Sequence, residues 1–203
     1  MSWTLRALLL ILCVSACANA QTRTLALYAE WPRGLDAGSG VIMRAELQRL
    51  LAPAGLEVVW KTLADRKAGE DFELVAVSSF EGLCAVDEPA SNPAITASLA
   101  DTSISNGHIL PFFRVDCDRL IRMLGSQLEP AVLGRALARL VAHELYHIVA
   151  QTTDHQERGV AKAAFSIRDL TDARFELDAW SLSRMRPPSI ARVSESSSGE
   201  TGR

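Results

Sequence analysis

Val-Ala-His-Glu-Leu-Tyr-His-Ile-Val-Ala, at residues 141–150, is the stretch from which the rest of the chain is interpreted. Apolar residues recur at helical spacing through and before it, at Leu133, Ala136, Leu137, Leu140, Val141, Leu145, Ile148 and Val149. Pro130 suits the first turn of a helix, and Glu129 before it suits the positive end of the helix dipole. The helix is expected to end near Gln151, because the Thr-Thr-Asp that follows favours turns. The pattern therefore predicts a long, mostly buried helix.

Two histidines of this helix, His143 and His147, stand one turn apart and share a face, so both imidazoles can reach a single Zn²⁺. A pair of histidines buried without partners would be costly, whereas a metal satisfies both rings. Glu144 lies at the edge of the same face, where a carboxylate can take a proton from zinc-bound water. Tyr146, inside the helix, is expected to pack in the core.

A catalytic zinc usually takes three protein ligands and leaves one position for water. His155 is the preferred third ligand, because three of the four histidines of the chain lie between residues 143 and 155. Asp154 is a lesser candidate. His108, the remaining histidine, is expected to be a loop or surface residue.

The His-Glu-x-x-His motif resembles that of the zincin metallopeptidases, most of all the metzincin branch. In metzincins the motif continues as x-x-Gly-x-x-His, and the helix stops at the glycine. Here Ala150 stands at the glycine position and Thr153 at that of the third histidine, while His155 comes two residues later. If His155 is a ligand, the turn after the helix is larger than in the family. A glutamate in place of the third histidine, such as Glu176, would match the thermolysin-like branch.

Metzincins also carry a methionine turn beneath the zinc. The only methionine after the motif is Met185, which falls in or just after the last predicted helix. Residues 163–166 are the alternative segment for this place. The resemblance implies a single zincin-like domain, zinc as cofactor and hydrolysis of peptide bonds.

The segments before the long helix predict a mixed, twisted sheet in an α+β domain. Strands are expected at residues 24–28, 56–60, 72–78, 95–104 and 108–115, with a helix capped by Ser39 after the first of them. Asn106-Gly107 predicts a hairpin between the last two strands. Pro111 lies in the second hairpin strand and cannot donate to a ladder, so that strand is expected to be an edge or to carry a bulge. An extended peptide can pair with such an edge by strand addition.

Two further helices are expected around the long one. Asp116 or Asp118 caps a short helix that Gly125 ends. Ser166 and Asp169 resemble a capping box, and they start a final helix that runs through Leu170, Phe175, Leu177 and Trp180. Residues 187–203 lack the apolar content to pack and are expected to be disordered, which leaves residues 21–186 as the domain.

The first 20 residues have the basic start, apolar run and small-residue ending of a signal peptide. Cleavage after Ala20 would release a secreted or periplasmic protein without a transmembrane span. A lipobox-like run ending at Cys17 offers a lipoprotein anchor as the alternative. Cys84 and Cys117 remain after cleavage at Ala20, and in an oxidising compartment they form a disulfide or stay as two separate thiols.

The net charge of −3, without a basic stripe, does not favour nucleic acid as a partner. The sequence thus predicts an exported, monomeric zinc metallopeptidase with Glu144 as general base and a peptide or protein as substrate. One alternative is an exported zinc-binding protein without peptidase activity. Another is an inhibitor or scaffold domain that uses the sheet edge and binds no metal.

Overall fold

The computed structural model describes residues 22–85, 98–125 and 129–186. The predicted signal peptide at 1–20, the predicted tail at 187–203 and the start of the strand predicted at 95–104 lie outside these ranges. Within them, no helix has the length and apolar character needed to cross a membrane.

A five-stranded mixed sheet forms one side of the domain, in the order β2-β1-β3-β5-β4. Its strands are β1 (Arg23–Ala29), β2 (Leu56–Lys61), β3 (Leu74–Glu81), β4 (Ala100–Ser105) and β5 (His108–Asp116). The first four in spatial order pair in parallel, and β4 pairs antiparallel with β5. The predicted mixed sheet with a hairpin at its edge is therefore confirmed.

The hairpin turns at Asn106 and Gly107, whose φ angles of 49° and 77° are those of the tight turn that this dipeptide favours. The strand that contains Pro111 is not the edge, because β5 lies between β3 and β4. The alternative, a bulge, is correct. The pairing of β4 with β5 shifts register between Thr102 and Ile104, opposite the part of β5 that holds the proline. The edge strand is β4.

Five α-helices and two short 3₁₀ turns are described. The helices are α1 (Ala37–Leu51), α2 (Cys117–Leu124), α3 (Pro130–Ala150), α4 (Ile167–Thr171) and α5 (Ala179–Met185), and the 3₁₀ turns are Ala52–Ala54 and Leu63–Asp65. The long helix α3 has the predicted bounds, and Gln151 caps it. Asp116 caps α2. The prediction of Ser39 as the cap of α1 was wrong, because the side chain of Asp36 accepts from the Ser39 backbone N–H at 2.9 Å.

The last helix is two helices, which corrects the prediction of one. The capping box of Ser166 and Asp169 is present and starts α4. That helix stops after one turn at Asp172, whose ψ of 144° is extended. Asp178 accepts from the Ser181 backbone N–H and begins α5. Two aspartates thus end and restart the helix, because their side chains compete for backbone N–H groups.

The core lies between one face of the sheet and the helices α1 and α3. Buried sheet residues on this face include Leu25, Leu27, Ala76, Phe113 and Val115. The two helices come very close at Gly134, where a Cβ atom would lie 2.5 Å from the Ser39 carbonyl oxygen. The tight contact packs the start of α3 against α1.

The predicted disulfide between Cys84 and Cys117 is confirmed. It joins the segment after β3 to the first residue of α2, and both cysteines are buried. The bond therefore anchors the chain on each side of the hairpin that supplies the edge strand.

Candidate metal centre

Three histidines, His143, His147 and His155, come together at the end of α3. Each offers a ring nitrogen, and the three nitrogens lie within 4.8 Å of one another. The Nε2 atoms of His143 and His147 are 3.0 Å apart. The two helical rings are buried, and His155 is exposed. The cluster contains the three residues that the sequence predicted as ligands.

Backbone carbonyls orient the two buried rings. The Nδ1 of His143 lies 2.7 Å from the Val160 carbonyl oxygen, and the Nδ1 of His147 lies 2.7 Å from that of Thr152. A carbonyl oxygen only accepts, so we assign a hydrogen to each Nδ1 and a lone pair to each Nε2. Two lone pairs that face each other repel unless a cation lies between them. The arrangement suits a metal, and ligating histidines commonly donate their other ring N–H in this way.

Burial lowers the pKa of His143 to about 4, although the hydrogen bond to Val160 opposes the change. Burial also lowers the pKa of His147. A charged imidazole is disfavoured where water is excluded. Both rings are therefore neutral at pH 7, which is the form that binds metal ions.

After Gln151, which adopts the left-handed conformation with φ of 49°, the chain turns back toward α3. Next in sequence, the Thr152 hydroxyl accepts from the Asp154 backbone N–H at 3.1 Å. The His155 ring then stacks on that of His143, with 5.3 Å between centroids, and meets the ring of His147 edge-on at 4.8 Å. This is the larger turn that the spacing required of His155.

The other candidates for a third ligand lie elsewhere. The Glu176 side chain is 73% exposed and forms an ion pair with Arg49 at 3.5 Å. Among the described residues, neither Glu176 nor Asp154 belongs to the histidine cluster. His108 is exposed at the start of β5, as expected. Tyr146 is fully buried, also as expected.

Glu144 is 2% exposed beside the histidines. Its Oε2 accepts a hydrogen bond of 2.6 Å from the Thr102 hydroxyl on the edge strand β4. Burial raises the pKa of Glu144 to about 7, against the effect of the Thr102 bond. A carboxyl group with such a pKa is poised to exchange a proton near neutrality. Sequence reasoning did not identify Thr102, because its place beside Glu144 depends on how β4 pairs with β5 and packs on α3.

Two neighbouring cavities open beside Glu144 and His143. One, of about 410 Å³, has apolar walls that include Leu99, Met123 and Leu140. The other, of about 250 Å³, is lined by all three histidines together with Thr102, Ile104 and Ile109. Both cavities are thus lined by His143 and Glu144.

Residues 163–166 lie next to the histidines. Phe165 meets the His143 ring edge-on at 5.3 Å and lines the larger cavity with Ala163 and Ala164. Met185 is instead buried in α5. Of the two segments considered for the place of the methionine turn, residues 163–166 are the ones that contact the cluster.

A buried ion pair between Arg139 and Glu46 lies one helical turn from His143. Arg139, one turn before His143 on α3, is fully buried and lies 3.1 Å from a Glu46 carboxylate oxygen. Its guanidinium also donates to the backbone carbonyls of Asp169 and Asp172. Arg139 thereby connects α1, α3 and the chain around α4.

Together these features define an α+β domain with an open three-histidine site. No protein-family model matches the sequence, and no curated protein matches it. Among solved structures, the chain is similar to an archaemetzincin from Methanopyrus kandleri. The similarity covers 84% of this chain and 96% of that one, with 12% sequence identity and a TM-score of 0.47.

Proposed function

We propose that the protein is an exported zinc metallopeptidase, with His143, His147 and His155 as zinc ligands and Glu144 as general base. The observation that carries the proposal is the convergence of three histidine nitrogens within 4.8 Å beside a buried glutamate and an open cavity. Three protein ligands with an open fourth position are typical of catalytic zinc sites. Structural zinc sites are closed by a fourth protein ligand.

The residues fit zinc by their donors and by their protonation. Three neutral imidazoles make a borderline-soft nitrogen set, which zinc and several other transition metals accept. We assign zinc because it is a Lewis acid without redox chemistry that commonly takes three histidine ligands and one water in catalytic sites. When bound, Zn²⁺ would polarise the carbonyl of the scissile bond and make water a stronger nucleophile at neutral pH.

The protein groups supply the proton transfers and the positioning. Glu144 takes a proton from the attacking water and later passes it to the leaving amine. The Thr102 hydroxyl holds Oε2 of Glu144 at 2.6 Å, which leaves the other carboxylate oxygen for the reaction. The Val160 and Thr152 carbonyls keep the two helical imidazoles in one tautomer and one orientation.

The surroundings favour an extended peptide as substrate. The edge strand β4 carries Thr102 and lies at the end of the sheet, so a peptide can add to it as a further strand. A side chain of that peptide would enter the larger cavity beside Glu144. Leu99, Met123 and Leu140 on its wall favour an apolar side chain there.

Export rests on the composition of residues 1–20 and agrees with the Cys84–Cys117 disulfide. Disulfides persist in oxidising compartments outside the cytosol. A lipid anchor at Cys17 remains the alternative to free release.

The test is hydrolysis by the metal-loaded protein and by its Glu144→Gln variant. Unfolded casein and a peptide library, followed by mass spectrometry, report cleavage of a wide range of sequences. We expect wild-type cleavage that a chelator stops and zinc restores, and we expect Glu144→Gln to bind zinc and lose cleavage. The exposed Glu157→Gln is the matched control and should cleave like wild type. Cleavage by Glu144→Gln at the wild-type rate would refute the proposed role of Glu144.

A zinc-binding protein without peptidase activity is the alternative. In such a protein we expect a fourth protein ligand, and within the described ranges no fourth histidine, cysteine or acidic residue joins the cluster. The cavity beside the three histidines favours the catalytic proposal.

A further inference from the structure

The segment between His147 and His155 differs from the metzincin pattern, because the third histidine comes two residues late. A longer segment reaches the metal only if the structure holds it in one conformation, since each additional flexible residue adds conformational entropy that metal binding must overcome. The left-handed conformation of Gln151 turns the chain out of α3 but does not by itself direct His155. Something must hold the chain between these two residues.

The Thr152 carbonyl, which lies 2.7 Å from His147 Nδ1, attaches the start of this segment to α3. Two further hydrogen bonds reach Asp154, the residue before His155. The Thr152 hydroxyl accepts from the Asp154 N–H, a contact within the turn itself. The Tyr146 hydroxyl donates to the Asp154 carbonyl at 3.1 Å, a contact between α3 and the turn. Of these two, only the second connects the end of the turn, next to His155, to α3.

We infer that Tyr146 positions His155 as the third ligand. Its hydrogen bond holds the Asp154 carbonyl against α3, the helix that carries His143 and His147. The inference rests on the proposed zinc site. The Tyr146 side chain is rigid in this role, because it is fully buried and its ring lies 5.3 Å from that of His147. The peptide that its hydroxyl holds is the one that leads directly into His155.

The identity of residue 146 has a chemical reason in this arrangement. A phenylalanine would pack the same ring in the core, so what tyrosine adds at this position is the hydroxyl that donates to the Asp154 carbonyl. A buried hydroxyl without a partner would lower the stability of the protein, so the bond also satisfies the Tyr146 hydroxyl. Tyr146 is then a positioning residue and touches neither substrate nor metal.

The experiment compares Tyr146→Phe with Tyr28→Phe, since these are the two tyrosines of the chain. The zinc dissociation constant is measured by competition with a chromogenic chelator, which requires no substrate. Loss of a hydrogen bond that orients a ligand typically weakens metal binding about 10- to 100-fold, and we expect this range for Tyr146→Phe. Tyr28 lies in β1, which β3 and β5 separate from the edge strand β4 beside the histidines, and Tyr28→Phe should bind zinc like wild type.

A double-mutant cycle separates positioning from general stabilisation. If Tyr146 acts through His155, Tyr146→Phe should weaken zinc binding in the wild-type background but not in the His155→Ala background. The visible absorption of the cobalt-loaded protein should also change in Tyr146→Phe, because the loosened ligand alters the coordination geometry. Thermal unfolding of each metal-free variant verifies that it is folded.

The outcomes separate this inference from the proposed function. If wild type binds zinc and Tyr146→Phe binds it equally well, the role of Tyr146 is refuted and the zinc site stands. An equal loss of affinity in both backgrounds also refutes it, since a purely structural tyrosine would act in that way. If wild type binds no zinc, both the inference and the proposed function fail.

Discussion

Replacement of Glu144 by glutamine is expected to stabilise the metal-free protein at alkaline pH. The carboxyl group is 2% exposed, and burial raises its pKa from 4.5 to about 7. Between these values the folded protein keeps a proton that the unfolded chain releases. The free energy of unfolding therefore falls as the pH rises from about 4.5 to about 7. Glutamine keeps the acceptor for the Thr102 hydroxyl but has no proton to lose.

The magnitude follows from the two pKa values. At about 1.36 kcal/mol per pH unit, the buried carboxylate costs about 3 kcal/mol at pH 8 and about 1 kcal/mol at pH 5. Glu144→Gln should thus be more stable than wild type by about 3 kcal/mol at pH 8, with a gap of about 1 kcal/mol at pH 5. His143 also changes its pKa on folding, but it is present in both proteins and its contribution cancels in the difference.

The assay is urea unfolding at both pH values, with a chelator present and the Cys84–Cys117 disulfide intact. Glu157→Gln serves as control, and an exposed substitution of this kind should change the free energy of unfolding by less than about 0.5 kcal/mol. The reasoning would be refuted if Glu144→Gln were no more stable than wild type at pH 8. It would also be refuted if the difference in the free energy of unfolding between the two proteins were the same at both pH values. Stability gained by removal of a proposed catalytic group would follow the usual trade-off between stability and function.

Three further substitutions test other parts of the site. Arg139→Met should lower the free energy of unfolding by about 3 kcal/mol, because it breaks a buried ion pair with Glu46. Arg49→Met, which removes a half-exposed partner of Glu46, is the control, and an equal loss for the two variants in urea unfolding would contradict the prediction. Gly159→Ala should cost about 1–3 kcal/mol, since φ is +69° and the new Cβ would lie 2.4 Å from a backbone oxygen; an unchanged melting temperature would count against it. Thr102→Val should retain zinc and lower kcat by about tenfold or more, while Thr102→Ser stays near wild type in steady-state kinetics; equal kcat values for the two variants would exclude a role for the hydroxyl.

The parts of the fold that local chemistry determines were predictable from the sequence. The bounds of α3 followed from Pro130, the apolar periodicity and the turn-forming residues after Gln151. The hairpin followed from Asn106-Gly107, and the start of α4 from the capping box at Ser166. In each case a few adjacent residues decide the conformation, so a single sequence contains the information.

Other parts were not predictable, either because several local residues suit the same role or because distant contacts decide the outcome. The cap of α1 was assigned to Ser39 although Asp36 accepts the hydrogen bond, because both residue types favour that position. The break between α4 and α5 was missed for a similar reason, since Asp172 and Asp178 can lie within a helix or end it. Strand order made β4 rather than β5 the edge, and a proline alone does not distinguish an edge from a bulge.

The residues of the candidate site were also predictable only in part. Spacing alone placed His143, Glu144 and His147 on one helical face, and the shortage of histidines elsewhere pointed to His155. The groups that hold these side chains, such as Thr102 and the Val160 carbonyl, come from other elements of the fold. They meet the site only through tertiary packing, so no sequence pattern marks them.

X-ray absorption spectroscopy of the purified protein, loaded with zinc and dialysed, tests the zinc site most directly. We expect one zinc per chain with three imidazole nitrogens and one oxygen from water, and we expect the loss of one imidazole in His155→Ala. A folded protein that retains no zinc after loading would contradict the proposed site. So would a zinc ion whose coordination is the same with and without His155.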